Sequence, residues 1–256
     1  MKFAGKVVLV TGGGRGIGQA IVSAFAKEGA SVAVNAAHME TAEQSAAEAR
    51  KLGRGQIIAI EANVADEQQV NTMIDRVAQE LGSLDILVNN AGISQPVIPL
   101  IEQSTADWDH VMGINLRGTY LCSKSAARYM TAKKSGKIVN IASIAGLTGQ
   151  VMRTAYAPSK AAVINLTMVL AVELAKYNIN VNAVLPGYIL TDMVKSLIQM
   201  GKVNEKAVLQ RTPLERMSTE EDVAHAALFL ASEEAKNITG VNLPVDAGWT
   251  ANGWYM

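Results

Sequence analysis

The chain has 256 residues, 49% of them hydrophobic and 18% charged, which suits one large α/β domain or two small ones and excludes a chain too polar to bury a core. Its 23 basic residues balance 23 acidic ones, so no overall field gathers polyanions, and no basic run with interleaved aromatics offers a nucleic-acid surface. The lone Cys122 and an opening "MKFAGKVVLVTGGG" without a charged-then-apolar leader predict a reducing cytoplasm, and apolar runs of strand length predict no membrane span.

The first strand is predicted at 6–12, "KVVLVTG", and runs straight into "TGGGRGIG", Thr11 to Gly18. A glycine-rich turn between a strand and a helix lets backbone N–H groups and the helix N-terminus face a pyrophosphate. The spacing of Gly12, Gly16 and Gly18 is G-x-x-x-G-x-G, and no Gly-Lys-Ser/Thr follows, so a dinucleotide is favoured over a nucleoside triphosphate. The next helix, "GQAIVSAFAKEGA", and the later "TAEQSAAEARKLG" are apolar at i, i+3, i+4 and end in glycine, the signature of a left-handed cap. Between them lies a strand at 31–35, "SVAVN". It ends in "NAAHM", where the position that would carry an acid for a ribose 2′-OH is Ala36.

A third strand at 56–61, "QIIAIE", is followed by "ANVAD", with Asp66 read as a helix N-cap. The fourth, "LDILVNN" at 84–90, leads into "NNAG", Asn89 to Gly92, where small residues suit close backbone approach. The fifth, "GKIVNIAS" at 136–143, ends on Ser143. Tyr156 and Lys160 follow 13 and 17 residues later, at the front of a long apolar helix. Spaced i, i+4 they share one face, so the ammonium is expected to lower the phenol's pKa and make it a usable acid and base. A sixth strand at 179–187 ends in "PG", before Tyr188. The seventh lies at 240–248, and the stretch at 188–217 reads as one or two short helices inserted before the last helix.

Strand, helix, strand with near-continuous apolar strands means a doubly wound parallel sheet of about seven strands with helices on both faces, in a single α/β domain over 1–256. No His, Cys or carboxylate cluster has metal-ligand spacing. His110 and His225 read as ordinary helix histidines, Cys122 as a small buried hydrophobe, and Glu220 and Glu221 as acids suiting a helix N-terminus.

Taken together, "TGGGRGIG", "NNAG", Asn115 in "GINLRG", Ser143, "YAPSK" and "PGY" resemble the short-chain dehydrogenase/reductase family over essentially the whole chain. The resemblance implies a Rossmann fold and hydride transfer between a nicotinamide cofactor and a carbonyl or secondary alcohol. It implies that Tyr156 exchanges the proton, Ser143 holds the substrate oxygen, Lys160 also bonds the nicotinamide ribose, and Asn115 supports a water relay. Cofactor contacts are expected from Gly12, Arg15, Gly16, Ile17 and Gly18; from Asn35, Ala36 and His38; and from Asn63, Val64, Asn90, Ala91 and Gly92. Further contacts fall to Tyr156, Lys160, Pro186, Gly187, Ile189 and Thr191. Asn63 stands where the family usually has an aspartate at the adenine. Ala36 and Arg15 favour NADP(H), with NAD(H) as the alternative.

Substrate contacts are expected from Ser94, Gln95, Ser143, Gln150, Tyr156 and Tyr188. A small ketone, polyol or sugar ranks above a 3-oxoacyl group on an acidic carrier protein, for which Lys133, Lys134 and Lys137 supply only part of the needed charge and Lys176 falls short of a second strong cation. A non-catalytic dinucleotide sensor is the rival of another class. The family habit implies a homotetramer, or a dimer, and the tail aromatics Trp249, Trp254 and Tyr255 read as interface or as cover for the chain's own pocket.

Overall fold

Strands β1 (Val7–Val10), β2 (Ser31–Ala36), β3 (Ile57–Glu61), β4 (Ile86–Asn89), β5 (Gly136–Ile141), β6 (Ile179–Pro186) and β7 (Asn242–Val245) form one sheet in a computed structural model that describes residues 1–201 and 203–253. The order is β3-β2-β1-β4-β5-β6-β7 and every pair is parallel. Six of the seven strands fall inside the predicted runs, most of them shortened at their ends because residues such as Thr11 and Asn90 leave the ladder to build turns, and β2 extends one residue past its run, to Ala36.

Alternate strand residues serve opposite faces. Val8 and Val10 of β1 join Val32 and Val34 under α1 (Gly16–Lys27), α2 (Met39–Arg50) and α9 (Glu220–Ala231), where Ile21, Phe25 and Leu230 are buried. Val7 and Leu9 face the other layer, built by α3 (Glu67–Leu81), α5 (Thr119–Lys133) and α6 (Tyr156–Leu174) around Ile74, Leu87 and Met130. The chain runs outward from β1 to β3, then returns to place β4 on the other side of β1. That reversal opens a crevice at the carboxyl ends of β1 and β4, the place where open α/β sheets receive ligands.

Local signals account for the helix ends. Asp66 caps α3, its carboxylate accepting from the Gln68 and Gln69 N–H groups at 2.9 and 3.1 Å. Thr219 and Asp222 form a capping box on α9, and Glu220 and Glu221 lie in its first turn. After α1, Gly29 is left-handed (φ 86°) as predicted. Gly53 after α2 is not: a Cβ there would stand 2.0 Å from the Ala26 carbonyl oxygen, so close approach is what demands glycine. The 188–217 stretch holds two short helices, α7 (Asp192–Gln199) and α8 (Glu205–Arg211). An eight-residue helix, α4 (Thr105–Met112), precedes a π-helical segment, Gly113–Gly118, that runs directly into α5.

With its last 3₁₀ turn, α6 spans Tyr156–Tyr177 with mean hydropathy 1.3, so a described helix is long and apolar enough to cross a membrane. Its buried residues, among them Ser159, Lys160, Val163 and Thr167, face the protein, while Val169 and Val172 are exposed.

Candidate active site

Each functional group sits at the carboxyl edge of a strand. At the end of β1, the Thr11 hydroxyl accepts from the Asn90 and Ala91 N–H groups at 3.0 and 3.1 Å, and the Asn90 amide donates to the Thr11 and Gly12 carbonyls at 3.0 and 2.9 Å. Gly12 is left-handed (φ +61°), and a Cβ there would press within 2.8 Å of the Ala91 Cα. At Gly18 a Cβ would stand 2.1 Å from the Gly12 carbonyl oxygen. Glycine is therefore required at both positions by backbone packed against backbone.

Helix α1 opens at Gly16, where the side chain of its N-cap residue, Arg15, makes no capping hydrogen bond and the first turn holds no acid, while the Glu220 carboxylate of α9 stands alongside, 3.6 Å from where a Cβ on Gly16 would lie. The positive end of the helix suits a phosphate, and the flanking glycines leave room for one. Arg15, exposed just ahead of them, forms no ion pair among the described residues. The cradle fits a dinucleotide pyrophosphate.

On the β5 side, Ser143 is buried, accepts from the Ala145 N–H at 3.1 Å and stands near enough to the Tyr156 phenol to influence its ionisation. Lys160 is fully enclosed, donates to the Ile141 carbonyl at 2.9 Å and lies 5.8 Å from the centre of the Tyr156 ring. A Cβ on Gly92 would come 3.4 Å from Lys160 Nζ and 3.3 Å from Asn115 Oδ1, so the "NNAG" turn abuts the catalytic helix. Asn115, in the π segment, accepts from the Ile93 N–H at 2.8 Å and donates to the Ile93 carbonyl and the Ser159 hydroxyl, both at 3.0 Å.

The electrostatics differ from the sequence-based expectation. Burial pushes the Tyr156 phenol up from 10, opposed by the Ser143 hydrogen bond and the charge of Arg153. Burial also pushes the Lys160 ammonium down to about 8. In the chain by itself, desolvation of both groups therefore outweighs any mutual stabilisation of ammonium and phenolate.

The family model described as enoyl-(acyl carrier protein) reductase matches residues 12–250, nearly the whole chain. The chain belongs to the short-chain dehydrogenase/reductase family. Within it, the chain is similar to 3-oxoacyl-[acyl-carrier-protein] reductase FabG of Thermotoga maritima, at 40% identity over 97% of this chain and 99% of that one. It is also similar to cis-4-hydroxycyclohexanecarboxylate dehydrogenase of Sinomonas cyclohexanicum, at 42% identity over 97% and 98%. The solved NAD⁺-bound xylitol dehydrogenase superposes with a TM-score of 0.92 at 32% identity, covering 97% and 100%. As a short-chain dehydrogenase/reductase, the protein is an NAD(P)-dependent oxidoreductase acting on CH–OH groups.

Several residues expected at the cofactor or substrate are also bonded within the protein. Asn35 is buried, its oxygen accepting from the Gly12 N–H at 3.4 Å and its amide reaching the Ala36, Ile60 and Ala62 carbonyls, so it props the glycine turn from behind. Asn90 ties that turn to β4. The Asn63 oxygen accepts from the Ala65 N–H at 3.0 Å, and Val64 is buried where a Cβ on Gly118 would come within 2.8 Å of it. Gln95 is buried too: its oxygen accepts from the Ala155 and Tyr156 N–H groups at 2.7 and 2.6 Å, and its amide donates to Met152 at 3.3 Å. It holds the backbone that leads into Tyr156. Thr191 caps α7 by accepting from the Val194 N–H, and Ile189 is buried beside Ser218.

Other expected residues remain open to the crevice side. His38, Ser94 and Tyr188 are exposed and Gln150 is half-buried, whereas Pro186, the last residue of β6, is buried and is followed by the half-buried Gly187. Lys133 and Lys137 lie at the opposite edge of the sheet, before and within the start of β5, and Lys133 pairs with Asp85 at 2.5 Å. They therefore cannot serve a carrier protein at the Ser143 end. Trp249 is buried against Ala142, Ile144 and Leu185, with the Arg211 guanidinium 3.9 Å above its ring, so it covers the chain's own interior. Trp254 and Tyr255 lie outside the described residues. Cys122 is buried, its thiol pushed up to about 12, and His110 and His225 are exposed helix residues.

The sequence reasoning missed Arg153, whose Nη1 donates to the Ser94 hydroxyl at 2.7 Å and the Gln95 carbonyl at 3.4 Å. It also missed the buried chain Asn89–Asn140–Thr167, linked at 2.8 and 2.9 Å, that joins β4, β5 and α6. An asparagine inside an otherwise apolar strand was the available signal, because a buried amide demands partners.

Proposed function

We propose that the protein interconverts a small ketone and its secondary alcohol with NADP(H), in a reducing cytoplasm and as a homotetramer. The observation that carries the chemistry is the convergence of the buried Ser143 hydroxyl, the Tyr156 phenol and the enclosed Lys160 at one place. A carbonyl oxygen entering there takes a hydrogen bond from each hydroxyl, and Tyr156 holds the proton that the nascent alkoxide needs. Lys160 keeps positive charge near the phenol and reaches the ribose, and Asn115 holds the loop that borders both. The nicotinamide supplies or accepts the hydride.

NADP(H) is supported by Ala36 at the end of β2, which leaves no acid there to repel a 2′-phosphate, and by the unpaired cation of Arg15. One carboxylate stands nearby: Glu61 accepts from the Met39 N–H at 2.8 Å, at the start of α2. Its charge is already engaged by that helix N-terminus, which leaves Arg15 as the group that decides. A small substrate is supported by the position of Lys133 and Lys137 away from the site. The relatives' own names cover a carrier-bound 3-oxoacyl group, a hydroxy acid and a polyol.

Fluorescence titration with NADPH and with NADH tests the cofactor. NADPH is expected to bind at least 10-fold more tightly, and Arg15→Ala to remove most of that margin while leaving NADH affinity nearly unchanged, as a charge-assisted contact to a phosphate requires. Equal affinities in the unaltered protein would overturn the NADP(H) reading and leave the oxidoreductase intact.

A further inference from the structure

Resting on the oxidoreductase reading above, we propose that Arg153 is the anchor for a carboxylate on the substrate, so that the protein acts on oxo and hydroxy acids with an apolar body. Arg153 lies three residues before Tyr156, in the loop that enters α6. Its guanidinium is fixed by the Ser94 hydroxyl at 2.7 Å and the Gln95 carbonyl at 3.4 Å, both on the segment that follows "NNAG". These two bonds use Nη1 and leave other donors of the fork unassigned.

Among the described residues Arg153 has no ion pair, although the seven ion pairs that are present take up cations elsewhere on the surface. A partly buried guanidinium held rigidly beside an acid–base tyrosine, without a carboxylate of its own, is a site for someone else's carboxylate. The charge is felt at the phenol, on which Arg153 acts as a lowering influence. The neighbouring stretches supply the apolar surface. Val97 follows Ser94 and Gln95, Leu147 and Val151 lie between Ser143 and Arg153, and all three are exposed at 58%, 49% and 85%. A sugar or polyol has no use for that combination; an apolar acid matches both parts of it.

Gln95 and Arg153 also clasp each other's loops, and a purely structural role for Arg153 is the competing account. The two are separated by matched pairs of substrates that differ only in charge: 4-oxocyclohexanecarboxylate against its methyl ester, and 4-oxopentanoate against its methyl ester. The readout is the ratio of kcat/KM for acid over ester, which cancels any general damage to Tyr156 or to folding. The unaltered protein is expected to favour the acid, Arg153→Met to cut the ratio by about 10-fold or more through KM for the acid, and Arg153→Lys to keep much of it. An Arg153→Met ratio equal to that of the unaltered protein, or a preference for the ester in both pairs, overturns the anchor. Reduction of neutral ketones alone overturns it as well, with the oxidoreductase intact. A protein that turns over no carbonyl overturns the oxidoreductase reading, and the anchor with it.

Discussion

Lys160 is held in the fold against its own preference for water. Its folded pKa, about 8, lies below the 10.5 of an exposed lysine because burial penalises the ammonium. Below about pH 8 both folded and unfolded chains carry the proton, and the native state bears the full penalty. Between 8 and 10.5 the unfolded chain binds more protons, so this contribution to stability rises with pH, and above 10.5 the penalty is gone. A shift of this size corresponds to about 3 kcal/mol. Lys160→Met is therefore expected to stabilise the protein by about 1–3 kcal/mol at pH 7 in urea titrations, with an advantage that shrinks as the pH is raised toward 10. A destabilised variant, or an advantage independent of pH, would show that the Ile141 bond outweighs desolvation.

At the scale of elements, the turn from β1 into α1 is set by two glycines that nothing larger can replace. Gly18→Ala would drive a methyl group to 2.1 Å from the Gly12 carbonyl oxygen, a backbone atom that cannot swing aside. We expect a loss of at least 10-fold in dinucleotide affinity and about 1–3 kcal/mol in stability, read by titration calorimetry and thermal denaturation; wild-type affinity would mean that the turn yields more easily than its packing implies. The glycines were legible in the sequence because their spacing carries the geometry, and the seven strands were legible because parallel strands buried on both faces read as continuous apolar runs. Less legible is how Asn35, Asn90 and Gln95 are bonded within the protein. Their amides are absorbed by carbonyls and N–H groups up to 79 positions away, and no local pattern marks such partners. The position of Lys133 and Lys137 was recoverable: residues that precede a parallel strand stand at the end opposite its loop.

For the whole molecule, the exposed face of α6 is the strongest sign of assembly. Met168, Val169 and Val172 are 40%, 51% and 82% exposed on one side of a helix whose other side is buried, and Tyr120 of α5 is 45% exposed. A self-complementary two-fold contact places the same face against itself, so one charge introduced there is met by its own copy. Val172→Arg is expected to halve the mass seen by light scattering at micromolar concentration while leaving the monomer's circular dichroism unchanged. An unaltered mass would move the interface away from α6.

The ties between Thr11, Gly12 and Asn90 bear on how the molecule comes into being. The turn that opens the chain is finished by a side chain 78 residues further on, and β1 takes its second neighbour only when β4 exists. During synthesis the first three strands emerge well before that closing residue, so the anion cradle stays unlocked until about a third of the chain has been made. A dinucleotide therefore cannot nucleate the amino-terminal half on its own. It rewards the later, long-range step in which β4 docks, and should speed refolding only to the extent that β4 docking is already formed at the rate-limiting barrier.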